Sequence, residues 1–217
     1  MKGCNMIDVT HQMNRTRRSV GGRVLEVGEA HVVTIGQAYP TDAADLWDAL
    51  TDSERIPRWF LPVSGDLRVG GRYQLEGNAG GTVLSCDPPR EFTATWEFNG
   101  AVSWIEVRVF ADGVDRSRFE LAHIARADDD IWRQYGPGAV GIGWELGMCG
   151  LAIHLRTGDV VNPARFEQWS MGEDGKKFVT EAAEGWRQAA VDAGLDPEWA
   201  RAAADRCRAF YLGESQN

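Results

Sequence analysis

The sequence is poor in the residues that build metal and redox centres. Its 217 residues include four cysteines, Cys4, Cys86, Cys149 and Cys207, and four histidines. No two cysteines form a CxxC, and none falls at ligand-like spacing from a histidine, so spacing supports no metal site and no cofactor is expected. Scattered cysteines suit a reducing cytoplasm, the compartment expected for the chain. Positive charge is also short: 23 Lys and Arg stand against 32 Asp and Glu, a net charge of −9. A protein that binds nucleic acid through its phosphates needs a basic face, so no nucleic-acid partner is expected. Long hydrophobic runs are missing too. The most apolar segment, Ala139 to Leu155, is 17 residues long, is interrupted by Glu145 and His154, and contains Gly141, Gly143, Gly147 and Gly150. A spanning helix wants about 20 apolar residues without a central acid, so this segment is predicted to be a buried helix and not a membrane span. Ser64, Ser85 and Ser103 lie in no G-x-S-x-G, which removes the usual serine-hydrolase signature. The N-terminal MKGCNMIDVTHQMNRTRRSVGG lacks the apolar stretch of a signal peptide. Residues 1–22 are predicted to form a flexible tail whose Arg15, Arg17 and Arg18 are solvated or touch a partner.

What the sequence has in quantity is aromatic residues, with nine Trp and eight Phe, enough for a large aromatic interior. Residues 23–38 hold β-branched residues in rough alternation and read as one long strand. Thr41 or Asp42 can cap a helix bearing Ala43, Leu46, Trp47 and Leu50 at helical spacing. A second short helix starts at Thr51 or Asp52 and ends near Trp59 and Phe60. From residue 63 the period becomes two. A strand pair around Gly70 and Gly71 is followed by GTVLSC, REFTATWEF, SWIEVRVF and RSRFELAHI, separated by DPP, NGA and ADGVD turns. Such short loops imply an antiparallel meander. Phe92, Ala94, Trp96 and Phe98 share one face, and Phe119, Leu121 and His123 another. A sheet with one apolar face needs a cover, and the segment 139–155 is the obvious one. After Pro163 the chain turns rich in Ala, Glu and Arg, and 176–194 and 195–213 read as a helical hairpin, the second helix opening on Asp196-Pro197.

Across the start of the apolar segment, Gly136, Gly138 and Gly141 form a literal G-x-G-x-x-G, with Asp159 downstream. A dinucleotide fingerprint must follow a buried strand, whereas here the preceding residues are ARADDDIWRQY. The glycines also continue: Ala139, Gly143, Gly147, Gly150 and His154 line one helix face. Close packing on the sheet, or room left for a cavity, explains them better than a phosphate. Gly136-Pro137 is then the helix start. The run Asp128–Asp130 reads as a solvated loop.

The run PTDAADLWDALTDSERIPRWFLPVSGDLRVGGRY, with GTVLSCDPPREFTATWEF and SWIEVRVF, resembles the START-like SRPBCC superfamily, and within it the homologues of the activator of heat-shock-protein-90 ATPase. The resemblance spans roughly residues 23–158. It implies an α+β helix-grip fold: a curved antiparallel sheet of about six to seven strands wrapped on a long helix, here as a domain at 23–160 with a helical extension at 161–217. It further implies a bacterial, stand-alone member that binds a small apolar or aromatic molecule between sheet and helix. The expected lining is Trp59, Phe60, Tyr73, Trp96, Trp104, Phe119, His123, Trp144, Gly147, Met148 and Leu151. Two other readings remain open. One is a cyclase, dehydratase or hydrolase, which needs convergent polar groups, with His123 and Glu145 as acid/base candidates and Tyr73 and Arg108 beside them. The other is an interaction protein or homodimer that uses Trp186, Trp199, Phe210 and Tyr211 of the hairpin. Both His123 and Glu145 are also readable as hydrogen-bonded core residues.

Overall fold

The computed structural model describes residues 7–214. One eight-stranded antiparallel sheet runs β1 (Arg17–Leu25), β2 (Gly28–Tyr39), β8 (Ser117–Arg126), β7 (Ala101–Ala111), β6 (Glu91–Phe98), β5 (Gly80–Asp87), β4 (Arg72–Leu75) and β3 (Val63–Gly65). Seven helices accompany it: α1 (Val9–Arg15), α2 (Ala43–Thr51), α3 (Asp130–Tyr135), α4 (Gly138–Thr157), α5 (Pro163–Met171), α6 (Glu173–Asp192) and α7 (Pro197–Tyr211). The sheet curves around α4 in a helix-grip.

Local chemistry explains the elements. Asp42 caps α2 by accepting from Asp45 N–H at 2.8 Å, and Asp196 caps α7 by accepting from Trp199 N–H at 2.7 Å. Asn99 and Gly100, both with positive φ, close the β6–β7 hairpin, the pair that such a tight turn favours. The acidic run is the turn that leads into α3: Asp128 and Asp129 precede the helix and Asp130 is its first residue. Asp129 caps α3 through Ile131 N–H, while Asp128 and Asp130 pair with Arg126 and Arg133. Carboxylates at a helix start are stabilised by its free N–H groups. Pro137 sits just before α4, and Gly158 ends it in the left-handed conformation at φ 71°.

The largest departure from expectation is at the N-terminus. Residues 9–15 are helical and 17–25 form an edge strand paired with β2 from Arg17↔Gly36 to Leu25↔Gly28, so most of the expected tail is folded. Residues 1–6 of that tail lie outside the described residues. The expected single strand at 23–38 is a hairpin, and β1 raises the strand number to eight. Its sequence RRSVGGRVL hides the strand because most of its residues are exposed at the sheet edge.

Helix α4 is long and apolar enough, by length and composition, to cross a membrane, but it is the central helix of this fold, with Ile142, Cys149 and Leu151 fully buried. One side meets β2, and α6 and α7 pack on another. The C-terminal hairpin is therefore a wall of the core: Phe178, Ala182, Trp186 and Ala190 are buried in it. The α4 glycines make room for neighbours other than the expected sheet. A Cβ at Gly150 would lie 2.2 Å from the Trp59 carbonyl oxygen, one at Gly147 would lie 3.1 Å from Phe60, and one at Gly141 would lie 2.2 Å from the Trp186 indole. At Gly143 the nearest atom is the Tyr211 hydroxyl at 3.0 Å. Gly150→Ala forces two backbone segments apart and is expected to destabilise by about 1–3 kcal/mol, the usual range for overpacking. Gly143→Ala meets only a side-chain tip and gains helix propensity, so it should stay within about 1 kcal/mol of the parent. Urea denaturation of the two variants checks the contrast.

Candidate functional site

Between α4, the concave sheet face and the α2–β3 connection lies a cavity of about 150 Å³. Its wall is built from alternating strand positions: Tyr73 and Leu75 of β4, Ala94 and Trp96 of β6, Ile105 and Val107 of β7, Phe119 and Leu121 of β8. Helix α4 contributes Trp144, Gly147, Met148 and Leu151, and the segment after the 3-10 turn Ile56–Arg58 contributes Trp59 and Phe60. The rings form a connected aromatic wall. Trp59 stacks on Phe60 at 5.3 Å, Phe60 on Trp144 at 6.0 Å, and Trp144 tilts against Trp96 at 4.8 Å between centroids.

Nine of the eleven expected lining residues meet here. Trp104 does not. Its neighbours Ile105, Val107 and Val109 point into the core, so the strand alternation puts Trp104 on the convex face with Glu106 and Arg108. Arg108 is likewise outside the cavity, paired with Glu91 and Glu106. His123 stands behind the wall. The volume is below the roughly 300–1,000 Å³ typical of small-molecule pockets, and the Trp59–Phe60 segment lies across Gly147 and Gly150 at its edge. The sequence reading missed Leu50, Val83, Phe92 and Cys86 in the lining. The two-residue period marked Phe92, and Val83 and Leu50 carried the same apolar signal, while Cys86 carried none.

His123 is almost fully buried, and its ring nitrogens are both engaged. The Trp144 indole N–H donates to His123 Nδ1 at 3.1 Å. An indole only donates, so Nδ1 is the acceptor and the proton sits on Nε2. That proton faces Ser103 Oγ at 2.9 Å, and the Ser103 hydroxyl donates to the Trp96 carbonyl at 3.1 Å. Burial pushes His123 down to about 4, because the charged imidazolium loses its hydration there. Tyr73 donates to the Thr95 carbonyl at 2.7 Å, and burial raises its phenol. Both polar candidates nearest the cavity are thus occupied by the protein itself.

Glu145 sits on another side of α4, 1% exposed. Arg18 of β1 holds it with two hydrogen bonds, Nε to Oε1 at 2.8 Å and Nη2 to Oε2 at 2.5 Å. Gly185 leaves space for that guanidinium: a Cβ there would stand 2.9 Å from it. Burial raises the Glu145 pKa, and the Arg18 hydrogen bonds oppose the rise. Glu145 and His123 do not converge: one bonds Arg18 of β1 and the other bonds Trp144 and Ser103. His154, also buried, is held by the Asp159 carbonyl at 2.8 Å and lies 3.4 Å from Arg55. Among the described residues no group of three His, Cys, Asp or Glu could hold a metal ion.

A curved sheet gripping a long helix over an apolar cavity defines a START-like, SRPBCC-type protein. The chain belongs to the family described as activator of Hsp90 ATPase homolog 1-like protein, which matches residues 40–154, more than half its length. It is similar to CalU16 from Micromonospora echinospora. The crystal structure of that protein is 33% identical over 77% of this chain and 98% of CalU16, with a TM-score of 0.58. The solution structure is 31% identical over 82% and 96%, with a TM-score of 0.66. DynU16, a protein in the dynemicin biosynthetic locus, shares the fold at 18% identity over 59% of this chain and 48% of its own, with a TM-score of 0.52. No curated protein matches the chain.

Two stability predictions follow from the buried polar groups. Arg18→Met strands the Glu145 carboxylate and should cost about 3–5 kcal/mol at pH 7, while adding Glu145→Leu should restore most of it. Removing the cation raises the Glu145 pKa further. The folded state then binds a proton that the unfolded state releases, so the R18M deficit should grow as pH rises from about 4.5 to 7. His123 acts in the opposite sense. Its depressed pKa gives stability that is complete above its ordinary value of 6.5 and lost as pH falls toward 4, about 3 kcal/mol in all. His123→Gln should lack that loss in urea titrations across the same range.

Proposed function

We propose that the protein binds a small, uncharged, aromatic molecule in the cavity between sheet and α4 and does so without catalysing a reaction on it. The observation that carries this reading is the wall itself, a continuous run of Trp59, Phe60, Trp144 and Trp96 over a space of about 150 Å³, with the polar side chains beside it satisfied internally. A dry apolar cavity of that size takes a benzene-sized guest. Affinity would come from apolar burial and ring contacts in place of hydrogen bonds. The likeness to CalU16 supports the scaffold and leaves the guest open.

Toluene and ethylbenzene are the probes, added at increasing concentration while tryptophan fluorescence and amide NMR shifts are followed. Saturable shifts at lining residues are expected. Ala94→Phe puts a ring into the cavity from β6 and should weaken binding at least about tenfold, the loss of about 1.4 kcal/mol of contact. Its circular dichroism should be unchanged. Absence of saturable shifts in the parent protein, or equal binding by the filled variant, would refute the reading.

A further inference from the structure

We propose that His123 and Ser103 are positioning residues that brace the two facing indoles of the cavity, Trp144 and Trp96, and thereby set its preference for a flat guest over a bulky aliphatic one of the same size. This rests on the binding function proposed above.

The chain of hydrogen bonds begins and ends on the cavity wall. It starts at the Trp144 indole N–H, passes through His123 Nδ1 and Nε2 and through Ser103 Oγ, and ends at the backbone carbonyl of Trp96. Every step has a fixed direction, because the indole can only donate and the carbonyl can only accept. The imidazole is therefore locked as one neutral tautomer between two walls on different elements, α4 and β6. Ring contacts add to the hold: His123 lies edge-on to Trp96 at 6.1 Å and tilted to Trp144 at 6.2 Å.

The surroundings of His123 keep it neutral. Its cross-strand neighbours are Val33 of β2 and Ile105 of β7, Ser103 follows on β7, and Trp144 and Trp96 face it from α4 and β6. None of these groups is charged, and burial is the cause of its lowered pKa. A buried imidazole needs both nitrogens satisfied, and here one of its two partners is the Trp144 indole of the cavity wall. An unbraced Trp144 can rotate about its side-chain bonds and exchange a flat wall for an irregular one. Buried polar networks that are fully satisfied specify a single arrangement in this way.

The test compares toluene with methylcyclohexane, by NMR titration at pH 7. The parent protein should favour toluene by about tenfold, the upper range of an aromatic pair contact. His123→Leu removes the acceptor at similar bulk, and Ser103→Ala removes the middle of the chain and leaves the buried His123 Nε2–H without its partner. Both should bring the ratio close to one and shift the Trp144 indole N–H resonance. His123→Gln offers a carbonyl oxygen to the indole and should recover part of the preference. If the parent binds neither probe, the proposed function fails and this inference with it. If the parent binds toluene preferentially and Ser103→Ala keeps both the ratio and the indole resonance, the binding function stands and the brace is overturned. Should His123→Leu fail to fold, Ser103→Ala and His123→Gln decide the matter.

Discussion

Apart from Glu145 and His154, helix α4 is apolar as far as Leu155, and a helix of that kind has to be enclosed on most of its sides. The rest of the structure follows from that requirement. The concave sheet covers one side. The Trp59–Phe60 segment lies across Gly147 and Gly150, where only a bare backbone permits the approach. Trp186 of α6 and Cys207 and Tyr211 of α7 close over Gly141, Gly138 and Gly143. The edge strand β1 and α1 pack on α6 and complete the enclosure. The cavity is a place where the enclosure is imperfect, and it lies against the bulky face of α4 and away from most of its glycines.

The polar residues near α4 fit the same picture. Glu145 ties the helix to Arg18 on β1, and His154 ties its last turn to the Asp159 carbonyl. His123 ties Trp144 to the sheet. Glu145 and His123 each find a partner from a distant part of the chain, and each bond specifies an arrangement of α4 against it. An apolar space with satisfied walls selects its occupant by shape.

Much of this was legible in the sequence, and the failures have physical causes. The meander from residue 63 to 126 could be read because each strand is apolar on one face, and alternation then placed Trp96 and Phe119 correctly. Trp104 went astray because size was weighed above register: Ile105, Val107 and Val109 already occupied the inward positions. Strand β1 was unreadable by alternation, since an edge strand with two glycines and three arginines carries little apolar signal. Arg18 looked like one of several tail arginines, and only its partner, 127 residues away, gives it meaning. The C-terminal helices were recognised as helices but read as an appendage. Trp186, Cys207 and Tyr211 of these helices sit against the glycines of α4, and that correspondence emerges only once the two are brought together. The resemblance to a known family carried the fold as far as residue 158 and had little to offer beyond it.

The closeness of Trp96 and Trp144, with centroids 4.8 Å apart and planes inclined at 56°, has an optical consequence. Two indoles so near and so inclined behave as coupled chromophores, and their coupled transitions give a paired signal in circular dichroism whose sign follows the handedness of the inclination. The wall of the cavity is thus its own spectroscopic reporter. A guest seated against these rings would change the surroundings of both chromophores while the brace holds their angle, and the paired signal would record it without a label.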